Sequence, residues 1–190
     1  LNHLLASYDP FKALRLARLY SRLVPGPLHR GIAMAAARLP VSHSNMSLDF
    51  KIKRTLQGLS FAPRLWCPTW MALVPPADLA ECVGSDVDIE EVYSEAIELW
   101  EEDGDKSDVD KVLRFYTKLY LQDDILTKVD RASMMHSLEV RAPFLDIELV
   151  DFVRKLPASV KLRGGETKYL LKKALRRVLP DDILYRSKKG

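Results

Sequence analysis

Ionisable side chains of both signs lie among apolar residues between positions 124 and 146, which is typical of the wall of a binding site. Lys128 and Asp130 stand in the first half of this stretch, and Glu139 and Arg141 stand in the second half. The alternative interpretation is structural, because a buried carboxylate needs a cationic partner. On that interpretation Asp130, Glu139 and Arg141 form a buried ion-pair network that fixes how the stretch packs.

Two later cations extend the set of candidate site residues. Lys168 precedes a leucine-rich segment, and Lys188 follows a turn at 180–183 that would dock it against the body of the protein. Other chemistries lack support. The four histidines have no metal-ligand spacing, the serines have no elbow glycines, and Asp103 with Asp105 lacks the later ligands of a calcium loop. We therefore predict no metal site.

The elements that must position these charges are a helix, an extended connector and a second helix. Ser107 and Asp110 resemble a capping box that starts a helix, which the polar run Gln122–Asp124 should end before a new helical stretch begins. Pro143 disfavours helix at the residue before it, so the connector should be extended. Asp146 then predicts an N-cap for the next helix.

The remaining chain is predicted to be helical as well, with candidate extended pieces only at 140–142 and 160–163. We therefore assign the fold class as all-α. The other predicted helices are Asp9–Leu23, Leu28–Leu39, Ser47–Leu56 with Gly58 as C-terminal cap, Pro76–Val83, Ile89–Glu102 capped by Asp88, Ile147–Leu156, and Lys168–Leu179 capped by Thr167.

A proline-interrupted segment at 60–76 contains Trp66 and Trp70. An aromatic turn that packs on neighbouring helices explains it most simply. The alternative is a ligand cage built from the two tryptophans.

Length and composition bound the function. With 190 residues, of which 47% are hydrophobic, the chain can bury a core as one domain or two small ones. A net charge of +3 is too small to imply nucleic-acid binding.

Short blocks of like charge lie at 101–103, 172–173 and 176–177. They are best explained as solvated helix faces, and a polyanion site is the alternative. No apolar run is long enough for a membrane span. Cys67 and Cys82 predict thiols in a reducing compartment, hence the cytoplasm.

Several segments then carry a resemblance in both order and spacing. They resemble signatures of the C-terminal synthetase domain of glutamine-hydrolysing asparagine synthetases, strongly over 107–190 and more weakly over 1–106. The matching segments are Lys128–Met134, Leu138–Asp146, Lys168, Leu179–Pro180 and Arg186–Gly190.

The resemblance implies an ATP-dependent amide ligase whose synthetase domain has an α/β adenine-nucleotide hydrolase-like (ATP pyrophosphatase) fold. Such enzymes adenylate the aspartate side-chain carboxylate with ATP and Mg²⁺, and ammonia from a glutaminase domain then displaces AMP. The catalytic lysine of the family falls on Lys188, where a cation offsets charge in the transition state. The residues that match positions near the synthetase cleft are Lys128, Asp130, Glu139, Arg141 and Lys168.

The departures from the family pattern predict an irregular multi-helix fragment that is inactive alone. The Ser-Gly-Gly-x-Asp-Ser pyrophosphate loop of the nucleotide-binding core and the N-terminal cysteine of the glutaminase domain are missing, and the chain begins with Leu1. We predict a helical N-terminal portion, 1–84, and a signature-bearing portion, 85–190. A homodimer is compatible with the resemblance. The alternatives are a helical scaffold module without catalysis and a related synthetase that forms another amide or a β-lactam.

Overall fold

The structure is a computed structural model that describes residues 9–40, 47–164 and 166–186, with side chains described from residue 14 onward. It confirms the all-α class, since the strands of the described residues form one two-stranded hairpin. A π-helical stretch covers Tyr116–Leu126, and 3₁₀ turns cover Pro76–Asp78 and Pro143–Leu145. The other elements are α1 Asp9–Leu23, α2 Gly26–Ala37, α3 Leu48–Leu59, α4 Pro63–Met71, α5 Leu79–Val83, α6 Ile89–Val92, α7 Ser94–Glu102, α8 Asp108–Phe115, α9 Thr127–Met134, α10 Ile147–Lys155, α11 Ala158–Lys161, β1 Leu162–Arg163, β2 Glu166–Thr167, α12 Tyr169–Leu175 and α13 Asp181–Leu184.

The chain divides into two compact units. The N-terminal unit is Arg15–Gly104, and the C-terminal unit comprises Leu1–Leu14 with Asp105–Gly190. The division of the sequence at residue 84 stays a prediction.

In the N-terminal unit, α2 begins two residues earlier than predicted, because a proline in the first helical turn loses no hydrogen bond. The buried His29 ties three segments together. Its Nδ1 lies 3.1 Å from the hydroxyl of Tyr20 in α1, and its Nε2 lies 3.0 Å from Oγ of Ser60, which follows α3. Both ring nitrogens are thus satisfied in a buried position.

The prediction that Gly58 caps α3 is wrong, because Gly58 lies inside the helix and is buried. A Cβ at this position would stand 2.1 Å from Nε1 of Trp70. Glycine is therefore required for close approach of the indole and not for a left-handed turn. The helix ends at Leu59 instead, with Ser60 as its C-cap. The N–H of Ser60 donates to the carbonyl of Gln57 at 3.2 Å, and the N–H of Phe61 donates to that of Gly58 at 3.0 Å.

The two tryptophans of α4 pack into the unit, as the simpler interpretation predicted. Trp66 is 1% exposed, stacks on Trp70 with ring centroids 5.9 Å apart, and donates its Nε1–H to the carbonyl of Phe61 at 3.1 Å. The Arg18 guanidinium lies 5.7 Å from the centroid of the Trp66 ring. The ligand-cage interpretation is wrong, because Trp66 offers no accessible face.

The predicted helix Ile89–Glu102 is divided at Tyr93, whose φ of −105° and ψ of 20° interrupt α6 and α7. Asp88 caps α6 as predicted, accepting the N–H of Glu90 at 2.9 Å. Val92 at the end of α6 is exposed, and the helical phase restarts at Ser94. Burial raises the pKa of the Tyr93 hydroxyl, an effect that the nearby Arg54 partly offsets.

In the C-terminal unit, Ser107 caps α8 as predicted, since its Oγ accepts the N–H of Asp110 at 3.2 Å. The predicted helix end at Gln122–Asp124 is wrong, because the chain runs without interruption from α8 through the π-helical stretch into α9. Leu121 stays buried, while Gln122 and Asp123 point to solvent and need no break. A π-helical stretch within a helix is unusual.

The helix predicted at Lys168–Leu179 is shorter, and Thr167 is not its cap. Thr167 lies in β2 and pairs with Leu162 of β1, so Lys168 takes the N-cap position. Leu171 of α12 packs against the buried Val153 of α10. The hairpin loop begins at Gly164, which has a φ of 58°.

Cys67 is a buried thiol and Cys82 an exposed thiol. Across the described ranges, every helix is too short or too polar to cross a bilayer. The same ranges hold no group of three or more His, Cys, Asp or Glu side chains that could bind a metal ion.

Candidate functional site

The first part of the candidate site is the exposed face of α9. Lys128 Nζ lies 3.1 Å from Oδ1 of Asp124, one helical turn earlier, and both side chains remain largely accessible to solvent. Asp130 and Arg131 are exposed on the same helix. An i,i+4 pair of opposite charge supports the helix across the predicted break. The helix therefore presents its charges to solvent and does not bury them.

The end of α9 sets the direction of the connector. The N–H of Leu138 donates to the carbonyl of Ser133 at 3.1 Å, and the N–H of Ser137 donates to that of Met134 at 2.9 Å. This pair of bonds is a Schellman motif, and Ser137 holds its left-handed position with a φ of 54°. Glycine is the usual residue there, so the serine stores backbone strain just before the charged connector.

We expect Ser137→Gly to raise the free energy of unfolding by about 0.5–1 kcal/mol, because glycine adopts a positive φ without a steric penalty. Urea unfolding followed by circular dichroism measures this change. The matched control is Ser133→Gly in the last turn of α9, which should lower stability by about 0.5 kcal/mol. If both glycines destabilise equally, the backbone at Ser137 is not strained.

The connector carries Glu139 and Arg141 on one side of an extended backbone, where residues two apart face the same way. Arg141 donates to Oε1 of Glu139 through Nε at 2.8 Å and also through Nη2. The pair is therefore formed as predicted, but the two side chains are 87% and 69% exposed. The interpretation of Asp130, Glu139 and Arg141 as a buried network is wrong, because all three side chains lie at the surface.

Glu139→Ala is therefore expected to change the free energy of unfolding by less than about 1 kcal/mol, the range for a solvated ion pair. A buried pair would instead cost about 3–5 kcal/mol. Thermal or urea unfolding distinguishes the two values. Arg141→Ala should behave in the same way, and a loss of about 3 kcal/mol in either variant would contradict the exposed geometry.

The connector closes with a 3₁₀ turn and the start of α10. Asp146 caps this helix as predicted, since its Oδ1 accepts the N–H of Leu149 at 3.1 Å. Lys168 belongs to a different element, the junction between β2 and α12, and is half-buried at a φ of 57°. Lys188 lies outside the described residues, so its predicted role stays a prediction.

The sequence did not reveal an ion pair in the C-terminal unit between a buried lysine and a half-buried aspartate. Lys161 is 4% exposed and its Nζ lies 3.8 Å from Oδ1 of Asp110, a residue of the α8 capping box. Burial lowers the pKa of Lys161 below its ordinary value, and Asp110 partly offsets this effect. The two residues are far apart in the sequence, so no local pattern could have paired them.

The sequence matches the family model described as asparagine synthase over residues 2–190. It is 40% identical to asparagine synthetase (glutamine-hydrolysing) 1 of Bacillus subtilis over 84 residues, which are 44% of this chain and 13% of that protein. It is 47% identical to asparagine synthetase 3 of the same bacterium over 83 residues, 42% of this chain and 14% of that protein. A Mycobacterium bovis protein provisionally named an asparagine synthetase is 31% identical over 168 residues, 88% of this chain and 24% of that protein. The chain thus spans between 13% and 24% of the length of these relatives. No solved structure is significantly similar to it.

Proposed function

The chain belongs to the asparagine synthase family, and from that premise we propose that it is the helical part of the synthetase domain of an ATP-dependent amide ligase. In the proposed reaction the side-chain carboxylate of aspartate is adenylated at the expense of ATP, and pyrophosphate leaves. Ammonia derived from glutamine then displaces AMP and gives asparagine. The observation that carries the proposal is the family match, which extends over residues 2–190 and includes every candidate site residue.

We assign to Lys188 the role of the cation that stabilises charge in the transition state. The assignment rests on its match to the catalytic lysine of the family. Lys128, Asp130, Glu139, Arg141 and Lys168 are proposed to line the cleft. The exposure of Glu139 and Arg141 supports this role, because a solvated pair can exchange its partner for a charged substrate or for another segment of the protein.

ATP would bring phosphate charge that Mg²⁺ and protein cations must offset. The described residues suit the edge of an ATP site better than the part that holds the phosphates. Lys128 and Arg141 are exposed cations, yet each already pairs with a carboxylate. We therefore assign the part of the site that holds the phosphates to a nucleotide-binding core, which precedes this part in the family. We call a protein that joins this chain to that core and to a glutaminase domain the complete synthetase.

We further propose that the complete synthetase works in the cytoplasm, because Cys67 and Cys82 are both thiols. A homodimer is compatible with this proposal. This chain alone is expected to be inactive.

The purified complete synthetase is expected to convert aspartate, glutamine and ATP with Mg²⁺ into asparagine, AMP and pyrophosphate in equal amounts. Release of ADP and phosphate, or no product at all, would refute the proposal. The second outcome would favour a helical scaffold module. Adenylation of a different carboxylate in place of aspartate would identify a related synthetase that makes another amide or a β-lactam.

A further inference from the structure

Cations follow one side of α12 and of the helical turn after it. The N–H of Leu179 donates to the carbonyl of Leu175 at 2.9 Å, so the helical spacing continues beyond the end of α12. Side chains three and four residues apart share one side of a helix. The cations at that spacing are Lys172, Lys173, Arg176 and Arg177. They form a row of positive charge that is exposed except at the half-buried Lys172.

The opposite side of α12 is apolar and holds the helix on the C-terminal unit. Leu171 packs against the buried Val153 of α10, and Leu170 and Leu175 are half-buried. A lipid bilayer would have to take up these leucines, which would remove Leu171 from its contact with the core. The cationic side is therefore the side of α12 that a partner can reach.

The β-hairpin adds a fifth cation to this row. Arg163 of β1 donates from Nη1 to the hydroxyl of Tyr169 at 3.0 Å, and its guanidinium lies 5.2 Å from the centroid of that ring. Nζ of Lys173 lies 6.0 Å from the same centroid. The Tyr169 ring thus holds one cation from the hairpin and one from α12 next to each other. We call the five cations the basic face: Arg163, Lys172, Lys173, Arg176 and Arg177.

Most of the charge on the basic face is not neutralised by the protein. Within the described ranges, Lys172 is the only one of the five cations that pairs with a carboxylate, that of Glu166 at 3.2 Å. Like charges four residues apart destabilise a helix, and this row has two such pairs, Lys172 with Arg176 and Lys173 with Arg177. An external anion would relieve this repulsion, so the row is better suited to binding than to stability.

The small net charge of the chain conceals this surface. From 65 to 104 every charged residue is acidic, whereas from 154 to 177 every charged residue except Glu166 is basic. The two runs belong to different compact units. The net charge of +3 is therefore a sum of opposite local charges, and the positive field of the basic face can attract a polyanion.

An exposed tyrosine lies beside the basic face. Tyr185 is 53% exposed, and the centroid of its ring lies 5.2 Å from Nζ of Lys172. Nucleic-acid bases stack on aromatic rings, and arginine binds phosphate through two parallel donors. An acidic peptide would supply carboxylates but no bases that could stack on Tyr185. Cations together with an exposed ring therefore favour a nucleic-acid strand with unpaired bases.

We propose that the basic face binds single-stranded RNA, with its cations on the phosphates and the Tyr185 ring against a base. The proposal does not depend on the proposed ligase reaction, because neither Tyr185 nor any residue of the basic face is assigned to the synthetase cleft. Contacts to phosphates carry no sequence information, so the binding should be insensitive to the base sequence and should weaken as salt is added.

Fluorescence anisotropy of a labelled oligouridine of about 12 nucleotides measures the binding to this chain over a range of salt concentrations. We expect the double variant Arg176→Ala, Arg177→Ala to bind the oligouridine about 20-fold more weakly at low salt. The slope of log K against log salt should become shallower by about 1.4, or about 0.7 for each phosphate contact that is lost. Circular dichroism should be unchanged, because both side chains are exposed.

The matched control is the double variant Arg30→Ala, Arg38→Ala. These two arginines are exposed on α2 and directly after it, in the N-terminal unit, so the control loses the same charge from a different surface. Its affinity for the oligouridine should fall by less than about twofold. Tyr185→Leu removes the aromatic ring without changing the charge. It should weaken binding about fivefold and leave the salt slope unchanged.

Several results would overturn the proposal, and each leaves the ligase function untouched. The first is no binding of oligouridine by the unsubstituted chain, and the second is an equal loss in the two double variants, which would show that only total charge matters. Competition supplies two more. Displacement of the RNA by polyglutamate at the same concentration of charge would assign the basic face to an acidic polypeptide. Equally effective displacement by tripolyphosphate would show that phosphate alone is bound and that the bases contribute nothing.

Discussion

Replacing Lys188 with alanine is expected to lower kcat for asparagine formation by about 10³-fold in the complete synthetase. A cation placed where negative charge develops acts in the transition state more than in the ground state, so KM for aspartate and ATP should change little. The free energy of unfolding should stay within about 0.5 kcal/mol, the usual range for a substitution outside the core. Steady-state kinetics together with urea unfolding measure both quantities.

Two neighbouring variants make this test specific. Lys189→Ala removes an adjacent charge of the same segment and should leave kcat nearly normal. Lys188→Arg keeps a cation but changes its shape and donor geometry, so kcat should be intermediate. Turnover of Lys188→Ala close to that of the unsubstituted enzyme would contradict the assignment. An equal loss in Lys189→Ala would show that the net charge of the segment matters and not one ammonium.

Features that depend on a few adjacent residues were predictable from the sequence. The caps at Asp88, Ser107 and Asp146 are all present, because an N-cap bonds to an N–H only two or three residues away. The extended connector followed in the same way from the steric effect of Pro143 on the preceding residue.

Features that depend on distant residues were not predictable. The polar run Gln122–Asp124 was expected to end a helix, but the neighbouring Leu121 is buried and the helix continues through the run into α9. Gly58 was expected to cap a helix, because nothing near it in the sequence reveals that Trp70 packs on its Cα. Sequence spacing can therefore suggest local structure, but it does not show which side chains a distant segment will bury.

The same limit applies to the candidate site. The pairing of Glu139 with Arg141 was predictable, because side chains two apart on an extended backbone lie on one face. Their exposure was not, since it depends on which elements pack nearby. Lys172 of α12 contacts Glu166 of β2 and the ring of Tyr185, which follows α13, and no periodic pattern links these three residues. Local chemistry therefore predicted the pairing within the connector, whereas the contacts of Lys172 required the structure.

The second large effect is expected in the core of the N-terminal unit, where Trp66→Ala should lower the free energy of unfolding by about 3–5 kcal/mol. Trp66 is 1% exposed, so its truncation leaves a cavity and removes the stacked partner of Trp70. It also removes the donor to the carbonyl of Phe61, a group that then loses a hydrogen bond. Urea unfolding followed by far-ultraviolet circular dichroism measures the loss without relying on tryptophan emission.

Two controls separate cavity formation from a general loss of apolar surface. Leu73→Ala removes a large side chain that is 99% exposed and should change stability by less than about 0.5 kcal/mol. Trp66→Phe keeps an aromatic ring but loses the donor to Phe61, so its cost should fall between the two alanine variants. Equal stability of Trp66→Ala and Leu73→Ala would mean that the α4 tryptophan is not packed in the core. The ligand-cage interpretation would then have to be reconsidered, because an accessible Trp66 could again receive a ligand.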